Sequence, residues 1–302
     1  MQQDNRYYSL NEYYKQKYGK KVYRLAISGG MTCPNRDGTI GERGCIFCSA
    51  GGSGEFASSA GLTVGEQLAE AKRRVRSKTR DNLYIAYFQP FTNTYAPVEK
   101  LRALYEAAIE PDDIVGLSIG TRPDCLPPEV IELLREINRK KLVTVELGLQ
   151  TIHESTAAYI RRGYPLSVYD EAVKALHQAG IEVVTHVILG LPGETEEMML
   201  ETVKYVGRVT DGVKLQLLHV LEGTDLAADY LNGLFRTLTL EEYARILCRC
   251  IRILPDNVVI YRLTGDGDKK SLIAPQWSAD KKRVLNYINK SLADNRIQQG
   301  EQ

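Results

Sequence analysis

The chain has 302 residues, 43% of them apolar and 25% charged, with a formal net charge of +1. This is the composition of an ordinary soluble globular protein, long enough for one large α/β domain or two modest ones. No stretch approaches the roughly 18 apolar residues that span a bilayer, and the opening Met1-Gln2-Gln3-Asp4-Asn5 lacks the apolar run of a secretion signal. A cytosolic (cytoplasmic) protein with no membrane partner is therefore expected, its thiols reduced. The small net charge hides an uneven distribution: residues 1–24 and 269–302 each carry +4, so the stretch between them carries −7.

Residues 1–21 form a basic, Tyr-rich segment that predicts a short helix. Val22-Tyr23-Arg24-Leu25-Ala26-Ile27 then reads as a strand that runs into a glycine-rich loop holding Cys33, Cys45 and Cys48. Three thiolates on one loop can hold three corners of an iron–sulfur cube, leaving the fourth iron open to a ligand. Plainer readings exist. A zinc site wants a fourth ligand at comparable spacing, and the next cysteine and histidine are Cys125 and His153. A redox pair from Cys45 and Cys48 would leave Cys33 without a role. A disulfide framework suits neither the length nor the compartment.

Beyond this loop the pattern repeats. Helices are expected at 62–80, 97–108, 128–139, 167–178 and 195–208, with strands at 83–88, 114–120, 142–149, 181–189 and 212–220. Near-continuous apolar strands alternating with helices mean a parallel sheet buried on both faces. Six such units, with polar residues gathered at the strand ends, predict an α/β fold: a partial (β/α)6 TIM-like barrel over 22–221. The helix expected at 239–253, the apolar run 257–263 and the basic helix at 278–297 are read as a C-terminal extension, 222–302, capping the barrel.

In barrels of this kind chemistry sits on the loops after the strands. The candidates there are Gln89, Thr92 and Asn93, then Arg122 and Asp124, then Glu146, Gln150 and Thr151. Arg122 can grip a carboxylate bidentately, and Glu146 can accept from an amine or ribose hydroxyls. Each could equally be a satisfied strand-end polar group or helix cap. His186 and His219, placed inside strands, read more readily as hydrogen-bonded core histidines than as catalytic ones. His153 and His177 read as helix surface positions. Cys125, Cys248 and Cys250 are not assigned to a cluster. Gly51-Gly52-Ser53-Gly54 does not follow a strand as a dinucleotide fingerprint would. The run from Lys72 to Arg80, with the basic chain ends, could track phosphates or simply be a solvated helix face.

The three-cysteine loop after the first strand, with these rim residues, resembles the radical S-adenosylmethionine (SAM) superfamily. The strings Thr32-Cys33-Pro34-Asn35-Arg36-Asp37-Gly38, Thr121-Arg122-Pro123-Asp124, Glu146-Leu147-Gly148-Leu149-Gln150-Thr151 and Arg262-Leu263-Thr264-Gly265-Asp266-Gly267 resemble its YhcC/YtqA-type branch. That branch is itself similar to the radical SAM part of the Elongator catalytic subunit. The first cysteine spacing is longer than the commoner C-x-x-x-C-x-x-C.

The resemblance implies that Cys33, Cys45 and Cys48 hold a [4Fe–4S] cluster. The open iron takes SAM, which one electron cleaves to a deoxyadenosyl radical that abstracts hydrogen from the substrate. It implies that Phe47, Gln89, Glu146, Gln150, Ile188 and Leu189 hold SAM, with Arg122 and Asp124 facing the substrate. It further implies tRNA as partner, with conversion of a wobble-uridine carboxymethylaminomethyl side chain to aminomethyl. An electron donor such as flavodoxin or ferredoxin and a downstream methyltransferase would complete the pathway; acetyl-CoA chemistry is not expected. A radical SAM enzyme for a small or porphyrin-like molecule, and a non-catalytic zinc-binding RNA module, stand as alternatives.

Overall fold

The computed structural model describes residues 6–52, 61–78, 82–265 and 269–301. Ser53, Gly54, Arg80, Asp266 and Gly267, which belong to strings singled out above, lie outside the described residues. The order is α1 (Leu10–Tyr18), β1 (Val22–Ile27), α2 (Val64–Val75), β2 (Leu83–Phe88), α3 (Val98–Ile109), β3 (Ile114–Thr121), α4 (Pro128–Asn138) and β4 (Leu142–Gln150). Then follow α5 (Glu154–Tyr159), α6 (Leu166–Gln178), β5 (Glu182–Leu189), α7 (Glu196–Val206), β6 (Gly212–Leu217) and β7 (Val220–Leu221). The chain ends with α8 (Asp225–Leu231), α9 (Leu240–Ile253), β8 (Val259–Arg262), β9 (Leu272–Ala274) and α10 (Lys281–Asp294).

Seven strands form one parallel sheet in the order β1-β2-β3-β4-β5-β6-β8, curled into a half-barrel with helices around it. The apolar strand residues are buried on both faces, as in β3, where all but Val115 are buried. Local signals start and stop the helices. Thr63 and Glu66 close a capping box on α2, and Thr239 and Glu242 close one on α9. Pro128 opens α4, where its missing N–H costs nothing. Gly180, with φ +72°, follows the end of α6 in the left-handed conformation that glycine adopts freely.

The sheet gains a seventh strand from the region read as a cap. β8 pairs with β6 through Gly212–Val259 and Val213–Ile260, although more than forty residues of helix and loop separate them in sequence. Its outer edge is met by the segment before α1, where Ile260 N donates to Tyr8 O at 2.8 Å. Of the rest of the extension, β9 pairs antiparallel to β7, while α9 packs beside α7 on the flank of the barrel and α10 packs on α9.

The topology also separates the basic segments. α2 runs back from the rim, so Lys72 to Lys78 lie at the opposite end of the barrel, before β2 begins. There Lys72 pairs with Asp113 at 2.7 Å, and Arg74 pairs with Glu70. α1 closes that same end, its Tyr14 buried against Val22 and Ile85. Neither segment is near the cysteine loop.

Candidate active site at the C-terminal rim

The cysteine loop is folded by short turns. Cys33 O accepts from Arg36 N at 2.8 Å, Pro34 O from Ile40 N at 2.8 Å and Cys45 O from Cys48 N at 3.0 Å. Three contacts hold the loop over the barrel mouth: Thr92 N to Thr32 O, Phe91 N to Gly52 O and Ile46 N to Ile160 O, at 3.1 to 3.2 Å. Arg36 joins the two halves of the loop by donating to the carbonyls of Cys48 at 2.9 Å and Ser49 at 2.6 Å. Cys33, Cys45 and Cys48 are half-buried free thiols, and all three line one cavity of about 250 Å3. Burial, together with the neighbouring thiols of Cys48 and Cys33, pushes the Cys45 thiol up to about 11.

The cavity floor is a layer of charged and polar side chains projecting from the strands. His186, Lys214 and Arg262 are register neighbours on β5, β6 and β8. Glu146 on β4 stands at the centre with 0% exposure. Its Oε1 accepts from Ser118 Oγ at 2.7 Å and from Arg24 Nη2; its Oε2 accepts from Tyr87 Oη at 3.0 Å, from His186 Nε2 at 2.9 Å and from Lys214 Nζ. Five donors meet a carboxylate with about four lone-pair directions. Glu146 lines the cavity as part of its floor, with both oxygens engaged by donors from the protein. Burial alone would raise its pKa, but Arg24, Lys214 and His186 hold it well below the usual carboxylate range. Burial lowers Lys214 to about 7 against the pull of Glu146.

Burial, reinforced by the charge of Lys214, holds His186 down at about 4. At about pH 5 the unfolded chain carries a proton on this imidazole and the folded chain does not. Stability should therefore fall as pH drops from about 6.5 to about 4, the range in which the unfolded state binds more protons. Urea unfolding across that range should show the fall, and a His186→Gln variant should flatten it. A slope unchanged by the substitution would contradict a neutral buried His186.

The walls carry most of the remaining candidates. Arg122 lines the cavity and forks onto Asp124, with Nε to Oδ1 at 2.9 Å and Nη2 to Oδ2 at 2.7 Å. Its guanidinium lies 5.0 Å from the Tyr164 ring centroid. Asp124 itself faces a separate outer groove with Cys125 and Tyr95. Phe47, Gln89, Gln150 and Ile188 line the cavity, whereas Leu189 alternates to the other face and packs in the main core. Thr92 also lines it, whereas Asn93 does not and its amide nitrogen donates to the carbonyls of Phe88 and Gly120. His219 lines the cavity from the turn between β6 and β7, not from within a strand, and Gly265 packs on its ring. His153 precedes α5, and His177 on α6 pairs with Asp211 at 2.9 Å. Cys125, Cys248 and Cys250 are buried.

Arg24, Tyr87, Lys214, Tyr164 and Arg162 were not among the sequence candidates. The usable signal was a charge in the middle of an apolar strand, as in Val22-Tyr23-Arg24-Leu25 and Gly212-Val213-Lys214-Leu215. Such residues are rarely buried unless paired.

The residues present fit a cluster with SAM beside it. The donor set is three thiols around a shared cavity. Next to the thiols, Gln150 holds φ +71°, a conformation uncommon for a side-chain-bearing residue. Its buried Oε1 has no hydrogen-bond partner, which is what a residue waiting for a ligand donor offers. Gly148 makes room for it, since a Cβ there would stand 3.1 Å from Gln150 Nε2.

Among the described residues no helix is long and apolar enough to cross a membrane. Residues 35–206 match the Radical SAM superfamily, and residues 210–294 match the Radical_SAM C-terminal domain. The chain is 44% identical to YtqA of Bacillus subtilis over 299 residues, covering 99% of this chain and 93% of that protein. It is 30% identical to the tRNA uridine(34) acetyltransferase of Methanocaldococcus jannaschii over 157 residues, half of this chain but 28% of that protein. The solved structure of Methanocaldococcus infernus Elp3 superposes with a TM-score of 0.70 at 18% identity, over 92% of this chain and 64% of the other. That likeness shows the shared fold. From the match over the barrel and the near full-length similarity to YtqA, this chain belongs to the radical SAM superfamily, whose members use a [4Fe–4S] cluster and S-adenosylmethionine.

Proposed function

We propose that this radical SAM enzyme modifies the wobble uridine of tRNA, converting a carboxymethylaminomethyl side chain to an aminomethyl one ahead of a separate methyltransferase. The observation that carries the reading is the 30% identity over 157 residues to a protein named as a tRNA uridine(34) acetyltransferase. The distribution of charge at the rim supports it. Arg43 on the cysteine loop has a side chain 73% exposed, and Lys269, Lys270, Lys281, Lys282 and Arg283 are exposed on segments that follow β8. Trp277 and Lys281 share a small pocket with His219 and Gly265, so the start of α10 stands beside the cavity. Cations around a cavity mouth suit a phosphate backbone that must be held while one base enters.

Cys33, Cys45 and Cys48 would hold the cluster. Bound there, the cluster and SAM supply one-electron chemistry, which belongs to the cofactor; the electron would come from a flavodoxin- or ferredoxin-like donor. Gln150, Gln89, Phe47 and Ile188 orient SAM over the floor. Arg122, held in plane by Asp124 and stacked on Tyr164, faces the substrate side. Glu146, Arg24 and Lys214 seal the end of the chamber away from the mouth and keep it dry. Nucleoside analysis of tRNA from a strain lacking this gene should show carboxymethylaminomethyl uridine accumulating and the methylaminomethyl form lost. Unaltered wobble uridines would contradict the proposal.

A further inference from the structure

Asn35 lies between Cys33 and the later cysteines and is 3% exposed. Its Nδ2 stands 3.4 Å from Cys45 Sγ and 2.7 Å from the carbonyl oxygen of Arg161. That carbonyl can only accept, so it fixes the orientation of the amide: nitrogen must face Arg161 and Cys45, and oxygen must point away. Arg161 and Gly163 both have positive φ, +56° and +83°. A Cβ at Gly163 would stand 2.9 Å from Asn35 Oδ1 and 3.1 Å from Ile40. The absence of a side chain at Gly163 therefore lets this segment close over Asn35. On its other side, Asn35 O accepts from Gly44 N at 2.7 Å, next to Cys45 in sequence. The main chain of Asn35 is pinned by Gly44, and one N–H of its side-chain amide by Arg161 O, which leaves the second aimed at one sulfur, whereas Arg36 beside it is directed to backbone carbonyls.

We propose that Asn35 is a positioning residue that sets the reduction potential of the iron–sulfur cluster through its N–H donor to Cys45. An N–H aimed at a ligating sulfur stabilises the more negatively charged, reduced cluster more than the oxidised one. Hydrogen bonds to the sulfurs are among the factors that set such potentials. The donor therefore raises the potential and eases entry of the electron that SAM cleavage requires. This inference rests on Cys45 being a cluster ligand and is independent of the substrate.

The test is an electron paramagnetic resonance redox titration of the full chain, anaerobically reconstituted with iron and sulfide and without substrate. Wild type, Asn35→Ala and Asn35→Asp are compared. Both variants should keep the iron content of wild type and become harder to reduce, Asn35→Asp the more so because it adds negative charge. Loss of a hydrogen bond to a charged group predicts a roughly tenfold drop in the reduced-to-oxidised ratio at fixed potential, about 59 mV for one electron. Unchanged potentials with the cluster retained would overturn this inference alone. A Cys45→Ala protein with unchanged cluster spectra would overturn the ligand assignment as well. Should Asn35→Ala lose its cluster, resonance Raman spectra of wild type decide. A shift of the iron–cysteine sulfur stretch in D2O is expected, and no shift would overturn the proposal.

Discussion

Replacing Glu146 by alanine should cost the fold about 3–5 kcal/mol, the penalty for removing one partner of a buried ion pair. The carboxylate is fully buried and takes five donors, two of them from the cations Arg24 and Lys214. The two cations would respond differently to its loss. Lys214, already lowered to about 7 by burial, can shed its proton. Arg24 cannot. It would be left with Ser118 Oγ at 3.0 Å and the face of Tyr87, 3.8 Å from its guanidinium carbon, neither of which carries a negative charge. Glu146→Gln keeps the shape and one acceptor and should lose less. Urea midpoints at constant m-value would read the order wild type, Glu146→Gln, Glu146→Ala. A loss below about 1 kcal/mol for the alanine variant would contradict the floor as described.

Removing the three thiols should abolish chemistry while leaving the barrel folded. Cys33, Cys45 and Cys48 belong to a loop resting on the strand ends and contribute nothing to the main apolar core, whereas Cys248 and Cys250 are part of it. A Cys33→Ala, Cys45→Ala, Cys48→Ala protein should therefore unfold near the wild-type midpoint but take up no iron under anaerobic reconstitution. Cys125→Ala should bind iron normally, since Cys125 does not line the cavity that the three thiols share. With its sulfur raised to about 11, Cys45 is neutral at pH 7 until a cationic centre draws off its proton.

Six of the seven main strands were legible because each is a run of apolar residues buried on both faces, bounded by turn signals. β1 matches at both ends, 22–27. β8 was assigned to the cap because residues 222–258 interrupt the strand–helix rhythm, and only the tertiary fold carries that strand back beside β6. α5 and α8 were missed: six and seven residues are too few for a helical period to stand out. The cysteines could be read from spacing because a cluster loop is local in sequence. Glu146 could not be read the same way, because the donors that fill it come from five strands, from Arg24 on β1 to Lys214 on β6. The basic run at Lys72 shows a similar limit: composition gave its charge, but the return direction of α2 placed it at the far end of the barrel.

The central claim is that three sulfurs on the loop after β1 hold an iron–sulfur cluster that works on SAM above a sealed floor. Anaerobically reconstituted wild-type protein, given a strong reductant and SAM, tests it most directly by the deoxyadenosine it releases. The account predicts a brown protein that forms deoxyadenosine and methionine, and a triple cysteine variant that is colourless and forms neither. A wild-type protein without iron, or an iron-loaded one that leaves SAM intact under the reductant, would contradict it.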